Sequence, residues 1–322
     1  MDLISTLNKA VNDFVWGPVM LVLLVGTGIY LSIRCGFPQV KKFGHMWRTT
    51  VATLFKHGDA ATAKRSDGTN VTPFQAVSTA LASTIGVGNV AGVAGAIAVG
   101  GPGAVFWMWI SSFLGMMTGC AEKTLAVRYR HRGKNGGWEG GPMDYMEKGL
   151  GLRGLALAFS LFCVCASIGG GDMVQANSIA TALEAAFGWD RLAVGAVTAL
   201  LTGLVILGGI GRIGRVSEKL VPAMAVLFLA GGAAVLWVHA TAVPAALSRI
   251  VASAFAPKAA LGGTLGYSMA SAMRFGVARG VFTNEAGLGS SAMAHAAADV
   301  EEPAEEGMWG AFEVFVATLV VC

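Results

Sequence analysis

Ser83, Thr84, Gly86, Gly88 and Asn89 stand together in the middle of an apolar run, 72–100, and are the residues best placed to do chemistry. The run is long enough to cross a bilayer, yet its centre, Gly86-Val87-Gly88-Asn89, is poor helix. Each interior glycine costs a helix roughly 1 kcal/mol relative to alanine. A backbone that unwinds in lipid survives only where protein or a water-lined cavity satisfies its freed amides and carbonyls. The chemistry such a break supports is ion binding. One half-helix offers amide donors to an anion, and the other offers carbonyl oxygens to a cation. The same small residues also suit close helix packing, since Gly88 and Gly92 form a G-x-x-x-G pair. This stretch alone leaves both readings open.

A second interruption shifts the balance. Phe282-Thr283-Asn284-Glu285-Ala286 runs into Gly287-Leu288-Gly289, which repeats the Gly86-Val87-Gly88 pattern. The first break lies in the first helix of a five-helix set, 72–239, and the second in the next helix after that set. Paired interruptions at corresponding positions of two halves mark a midplane transport site. Gly86, Val87, Gly88 and Asn89 then become a candidate amide clamp for a carboxylate. Thr283 and Asn284, with the carbonyl of Phe282, would face an amino group. The Phe282 ring would wall the pocket or simply pack.

Asp172 follows three glycines inside a span. A charge at mid-membrane costs about 2.5–3.5 kcal/mol and reads as functional by default. Pairing with Arg274 or Arg279 accounts for Asp172 equally well. Gln175 lies about one turn further on and shares its face. Glu285 is placed to balance Arg279, or to relay a proton. The five histidines have no ligand spacing, and the five cysteines form no C-x-x-C pair. Gly209-Ile210-Gly211-Arg212-Ile213-Gly214 matches a dinucleotide fingerprint, and Gly86-x-Gly88-x-x-Ala91 nearly does. Neither follows a strand, as that motif requires. The former reads as a cytoplasmic turn.

The elements that must hold these residues are helices. Hydrophobic residues make up 54% of the chain and charged ones 13%, half the share of a soluble domain. The class is therefore all-α, a polytopic membrane protein. Residues 1–13 predict a short interfacial helix, 14–33 a span, and 38–57 an amphipathic helix lying on the membrane surface. A polar linker, 58–71, precedes the broken span. Further spans are expected at 104–127, within 154–187, at 192–210 and at 220–239, with a loop over 133–152. An outer surface helix follows at 243–257, the second broken segment begins near 261, and an acidic loop covers 299–306. Outside the spans, Lys and Arg fall sixteen on one side and four on the other. The positive-inside rule makes the rich side cytoplasmic and puts the N-terminus outside. A membrane enzyme would need a soluble catalytic domain or a nucleophile–base set, and neither is visible.

The stretches 78–109, 140–146 (GlyGlyProMetAspTyrMet), 175–178 (GlnAlaAsnSer) and 276–297 together resemble the alanine or glycine:cation symporter family, over essentially the whole chain. The resemblance implies a leucine-transporter-type fold, with ten core helices in inverted repeats plus an extra N-terminal helix. It implies a single transmembrane domain over 1–322, with 1–57 as N-terminal span plus surface helix, 72–239 as the first repeat and 261–322 as the start of the second. It implies sodium-driven import of alanine or glycine across the cell membrane, with no organic cofactor and no nucleic acid. Thr84, Gly86, Gly88, Asn89, Gln175, Phe282, Thr283 and Asn284 become the candidate substrate residues. The carbonyls of Ala82 and Ile85, the Thr84 hydroxyl and the Asn89 side chain become candidate sodium donors. Family members continue past position 322, so the second repeat is expected to be incomplete and the chain by itself inactive. The alternative is a proton-coupled amino-acid or nucleobase carrier of the same fold.

Overall fold

The structure, a computed structural model, describes residues 2–51, 70–256 and 269–322. It is built of helices: α1 Asp2–Val15, α2 Pro18–Arg34, α3 Phe43–Thr49, α4 Pro73–Thr84, α5 Val87–Gly100, α6 Gly103–Tyr129 and α7 Arg153–Ala166. They continue as α8 Val174–Phe187, α9 Arg191–Ile206, α10 Gly209–Val238, α11 Val243–Ala254, α12 Met269–Asn284, α13 Ser290–Ala296 and α14 Pro303–Val314. Among the described residues four segments are long and apolar enough to cross a membrane, and the bent pair α4–α5 makes a fifth.

The central post is α6. Its 27 residues reach about 40 Å, more than the apolar thickness of a bilayer. Against it pack α2, α11, α12, α13 and α14. The α12 contact is close because Gly276 lacks a side chain: a Cβ there would strike the Ala104 carbonyl and lie 2.8 Å from Trp107 Cβ. One apolar cluster joins α4 to α10 and α14 through Val77, Leu81, Ile85, Val221 and Trp309. A second joins α3, α6 and α14 through Met46, Met116, Ala311 and Val314. The segment 153–238 turns large apolar side chains outward, among them Leu157, Phe162, Leu201, Leu227 and Trp237. Such a surface suits lipid and would be a liability in water.

Several expectations need correction. The surface helix of 38–57 is, over its described part, two short pieces, Pro38–Lys41 and α3. Part of its apolar face covers protein, since Phe43 packs edge-on to Phe315 at 5.3 Å and Trp47 to Phe312 at 6.2 Å, while Val40 and much of Trp47 stay exposed. Aromatic periodicity reads alike whether the covering surface is lipid or α14. The described end of the polar linker is anchored, since Val71 makes a parallel bridge with Ala298. Residues 52–69 lie outside the described residues. The loop expected over 133–152 instead carries β2 Trp138–Glu139, paired antiparallel with β1 His131–Arg132 just before it, and a π-helical turn, Tyr145–Gly149. Trp138 closes it, with the guanidinium groups of Arg130 and Arg132 at 4.1 and 3.9 Å from its ring. The glycine-rich 209–214 segment is the opening of α10 rather than a turn; Gly209 takes the positive φ there. The acidic loop is shorter than drawn, because Pro303 starts α14 and carries Glu306 into the interior.

Candidate functional site

Both breaks exist. Thr72 and Gln75 form a reciprocal capping box that starts α4, with Pro73 at its first turn. The helix stops at Thr84. Ile85 and Gly86 are extended, Val87 restarts the helix as α5, and the two halves are bent by 41°. In the second break Glu285, Gly287 and Gly289 all take positive φ. Only glycine holds such a backbone without strain, so Glu285 carries a cost that its surroundings offset.

Those surroundings come from the first break. Ser83 Oγ donates to Glu285 Oε1 at 3.1 Å, and Ser290 Oγ donates to Glu285 Oε2. Arg279 of α12 donates from Nε at 3.1 Å, and again from Nη2, to the carbonyl of Gly88. Its guanidinium lies 4.7 Å over the Phe282 ring. Gly92 makes room for it, because a Cβ at that position would collide with the guanidinium. Arg279 is thus a second tie between the breaks, and Glu285 leans on serines rather than balancing it. Arg274 pairs with Asp13 at 2.7 Å, leaving Asp172 exposed on the π-helical turn Ser167–Met173.

The candidate residues fall into two groups. Gly86, Gly88, Gln175 and Phe282 gather at the start of α5. The Val87 N–H donates to Gln175 Oε1 at 3.2 Å, so a side-chain amide oxygen already occupies the anion position at this helix N-terminus. A Cβ on Gly86 would lie 2.8 Å from Gln175 Nε2, and one on Gly88 would lie 3.8 Å from Phe282. Asn89, Thr283 and Asn284 form the second, buried group around the segment 315–320. Asn89 Nδ2 donates to the Ala317 carbonyl at 2.8 Å. Thr283 Oγ1 donates to Gly280 O at 2.8 Å and meets Thr318 Oγ1 at 3.1 Å. Asn284 donates to Thr318 Oγ1 at 3.2 Å and accepts from Ala286 N–H. As placed, the polar groups of Thr283 and Asn284 face this junction rather than Gly88.

Thr84 is buried and its hydroxyl turns back toward the Leu81 carbonyl at 3.5 Å. Ala82 is exposed, and Ile85 is buried. Asn89 Oδ1 is buried with no hydrogen-bond partner. An orphaned amide oxygen beside a helix break suits a hard cation that seeks neutral oxygens. Among the described residues no three His, Cys, Asp or Glu side chains are grouped to hold a metal ion.

The sequence reading missed Thr318, the role of Arg279, and a buried ionic cluster of Glu122, Lys123, His295, Glu306 and Glu313. The signal for the cluster was present. Glu122-Lys123 interrupts an otherwise apolar span, and charge inside a span deserves a partner.

Helices of spanning length, outward apolar faces and a broken helix stitched to a second break define a polytopic, all-α membrane transporter. The whole chain, 1–322, matches the model of the sodium:alanine symporter family. It is 45% identical to "Sodium/alanine symporter AgcS" of Methanococcus maripaludis over 100% of this chain and 69% of that protein. It is 44% identical to an "Uncharacterized transporter" of Haemophilus influenzae over 99% of this chain and 68% of that one. It is 39% identical to "Probable sodium/glutamine symporter GlnT" of Bacillus subtilis over 97% and 62%. The chain belongs to the sodium:alanine symporter family. Its activity is sodium-coupled alanine symport, not an enzymatic reaction, and sodium is its coupling ion.

Proposed function

We propose that the two breaks form one transport site, lying between inverted repeats of leucine-transporter type. The first repeat covers 72–239, and the second begins with α12 and α13. The protein imports alanine or glycine across the cell membrane, with its basic loops cytoplasmic and its N-terminus outside. The observation that carries this reading is the pair of ties between breaks: Ser83 to Glu285, and Arg279 to the Gly88 carbonyl.

At the start of α5 the amides of Gly86 to Asn89 and the helix dipole attract the substrate carboxylate. Gln175 Oε1 holds the Val87 N–H until a carboxylate oxygen takes its place. The displaced Gln175 amide then has an N–H to donate to the substrate. Phe282, exposed and 3.8 Å from where a Cβ on Gly88 would stand, walls this end of the site and limits the size of the substrate side chain. Thr283 and Asn284 accept the ammonium when their contacts with Thr318 open. Sodium binds at Asn89 Oδ1, with the carbonyls of Ala82 and Ile85 and the Thr84 hydroxyl as further donors. The ion supplies charge that offsets the substrate carboxylate.

The test is counterflow of labelled alanine in proteoliposomes. Imposed sodium gradients should drive accumulation, and alanine and glycine should compete while leucine does not. Unchanged alanine accumulation after replacing sodium by potassium at fixed pH refutes the sodium site. Equal competition by leucine refutes the role given to Phe282. Accumulation driven by a proton gradient alone favours the proton-coupled alternative.

A further inference from the structure

The buried ionic cluster plays no part in the site just described. His295 sits after the second break on α13, fully buried. Its Nδ1 lies 2.6 Å from Glu306 Oε1, and its Nε2 lies 3.1 Å from Glu313 Oε2. Glu313 Oε2 also meets Lys123 Nζ at 3.3 Å, and Lys123 meets Glu122 Oε2 at 3.9 Å. Lys123, His295, Glu306 and Glu313 have no exposed surface, and Glu122 has little. The chain of contacts therefore runs from α6 through α14 to α13.

The proton count follows from the geometry. A neutral imidazole has one N–H donor and one acceptor nitrogen, and an ionised carboxylate only accepts. Both ring nitrogens of His295 lie at hydrogen-bonding distance from a glutamate oxygen. With a neutral ring and two ionised carboxylates, one of these contacts would set lone pair against lone pair. One proton more is needed, on the ring or on a carboxyl. The charge count asks for the same. Three glutamates face one lysine in an interior where unpaired charge is costly, and Glu306 Oε2 and Glu313 Oε1 are buried without partners.

The cluster is also joined to the transport site. Glu122 is turned toward the backbone N–H groups of Gly287 and Gly289 in the second break. Glu313 is one residue before Val314, whose carbonyl accepts from Ser112 Oγ. One turn on, the Ala317 carbonyl holds Asn89. Among the described residues, the other titratable and charged groups around the cluster are Cys120 on α6, Arg130 at its end, Tyr145 on the turn 145–149, Glu285 in the second break, and Asp299 beyond α13. Arg130 donates to the carbonyls of Ala296, Ala298 and Val300, which fixes the segment after His295.

We propose that His295, Glu306 and Glu313 form a proton-binding site whose shared proton latches α13 to α14. Loss of the proton turns one hydrogen bond into a repulsion between those helices, and α14 carries that change to the Ala317 carbonyl that holds Asn89. The proposal does not depend on the identity of the transported substrate.

The experiment uses purified protein with ¹⁵N-labelled histidine, compared with Glu306→Gln and His295→Gln. Infrared and ¹⁵N resonance spectra at neutral pH should show one extra proton, as a doubly protonated ring or a protonated buried carboxyl, lost in His295→Gln. In Glu306→Gln the new amide donates to Nδ1, so the ring becomes neutral and the extra proton disappears while the helices remain. Hydrogen exchange in α13 and α14 supplies the second readout. Corrected for its intrinsic pH dependence, protection should fall at least about tenfold from neutral to alkaline pH in the wild type, and stay constant in Glu306→Gln. A neutral ring with every carboxyl ionised in the wild type overturns the proposal. So does an unchanged proton signal in Glu306→Gln, or protection equally pH-dependent in both. If His295→Gln does not fold, the wild type and Glu306→Gln still decide the matter.

Discussion

Asn89 is where structure and transport meet most directly, and Asn89→Ala separates them. The side chain is buried; its Nδ2 holds the Ala317 carbonyl at 2.8 Å and its Oδ1 has no protein partner. Truncation removes the Asn89 donor and leaves the buried Ala317 carbonyl only the weak Cys322 Sγ–H at 3.3 Å, which costs up to about 1–3 kcal/mol whatever the ion present. The second loss appears only with sodium. An ion that binds the folded state stabilises it by RT ln(1 + [L]/Kd), about 1.4 kcal/mol at a concentration roughly tenfold above Kd. The expected result is therefore twofold. The melting temperature of detergent-purified wild type rises when potassium is replaced by sodium at constant ionic strength. In Asn89→Ala the baseline falls and the sodium increment vanishes. A variant with a lower baseline but the full increment would show that Asn89 only clamps α5 to the segment 315–320, and the sodium assignment would fall. An unchanged baseline would refute the hydrogen-bond argument itself.

Three other substitutions address the remaining parts of the site. Gly88→Leu should abolish alanine binding while the protein still inserts, because a Cβ at 88 lies 2.8 Å from Arg279 Nη2 and the rest of the leucine must enter the space beside Phe282; normal alanine affinity in purified protein would remove the first break from the site. Phe282→Ala should let valine and leucine compete for alanine uptake, and unchanged competition would leave Phe282 as packing alone. Gln175→Glu puts a fixed carboxylate where Oε1 already accepts from Val87 N–H, so alanine affinity should drop by about tenfold or more, equivalent to roughly 1.4 kcal/mol; undiminished affinity would show that the carboxylate binds elsewhere.

The breaks were legible because the signals that make them are local. Glycine pairs at mid-span and runs of spanning length are read along the chain. What the breaks touch was not legible, since contacts between residues some 200 positions apart leave no spacing. Arg279 has no acidic residue at helical distance to suggest a partner, so a carboxylate elsewhere was the natural expectation; its partner is a backbone carbonyl that any residue at 88 would supply. Gly92 was visible as a packing glycine, but the side chain that uses the space comes from α12. The amphipathic pattern over 38–51 gave no sign that Phe43 and Trp47 pack on Phe315 and Phe312, because lipid and a protein face select the same side chains.

The ionic cluster shows in sequence only as the Glu122-Lys123 pair inside a span, and the rest is hidden for a different reason. Its members sit at 122, 123, 295, 306 and 313, and no single element holds more than two. Apart from that pair, each has an innocuous local reading: a histidine after a glycine turn, glutamates in an acidic stretch. Only helix packing shows that all five face inward. Burying three carboxylates, an ammonium and an imidazole costs more than a well-packed apolar core of similar volume. Stability alone therefore gives a poor account of why these five groups meet. A group that can change charge does what an apolar core cannot, and here it lies on α6, α13 and α14, with α14 running on to the Ala317 carbonyl that holds Asn89.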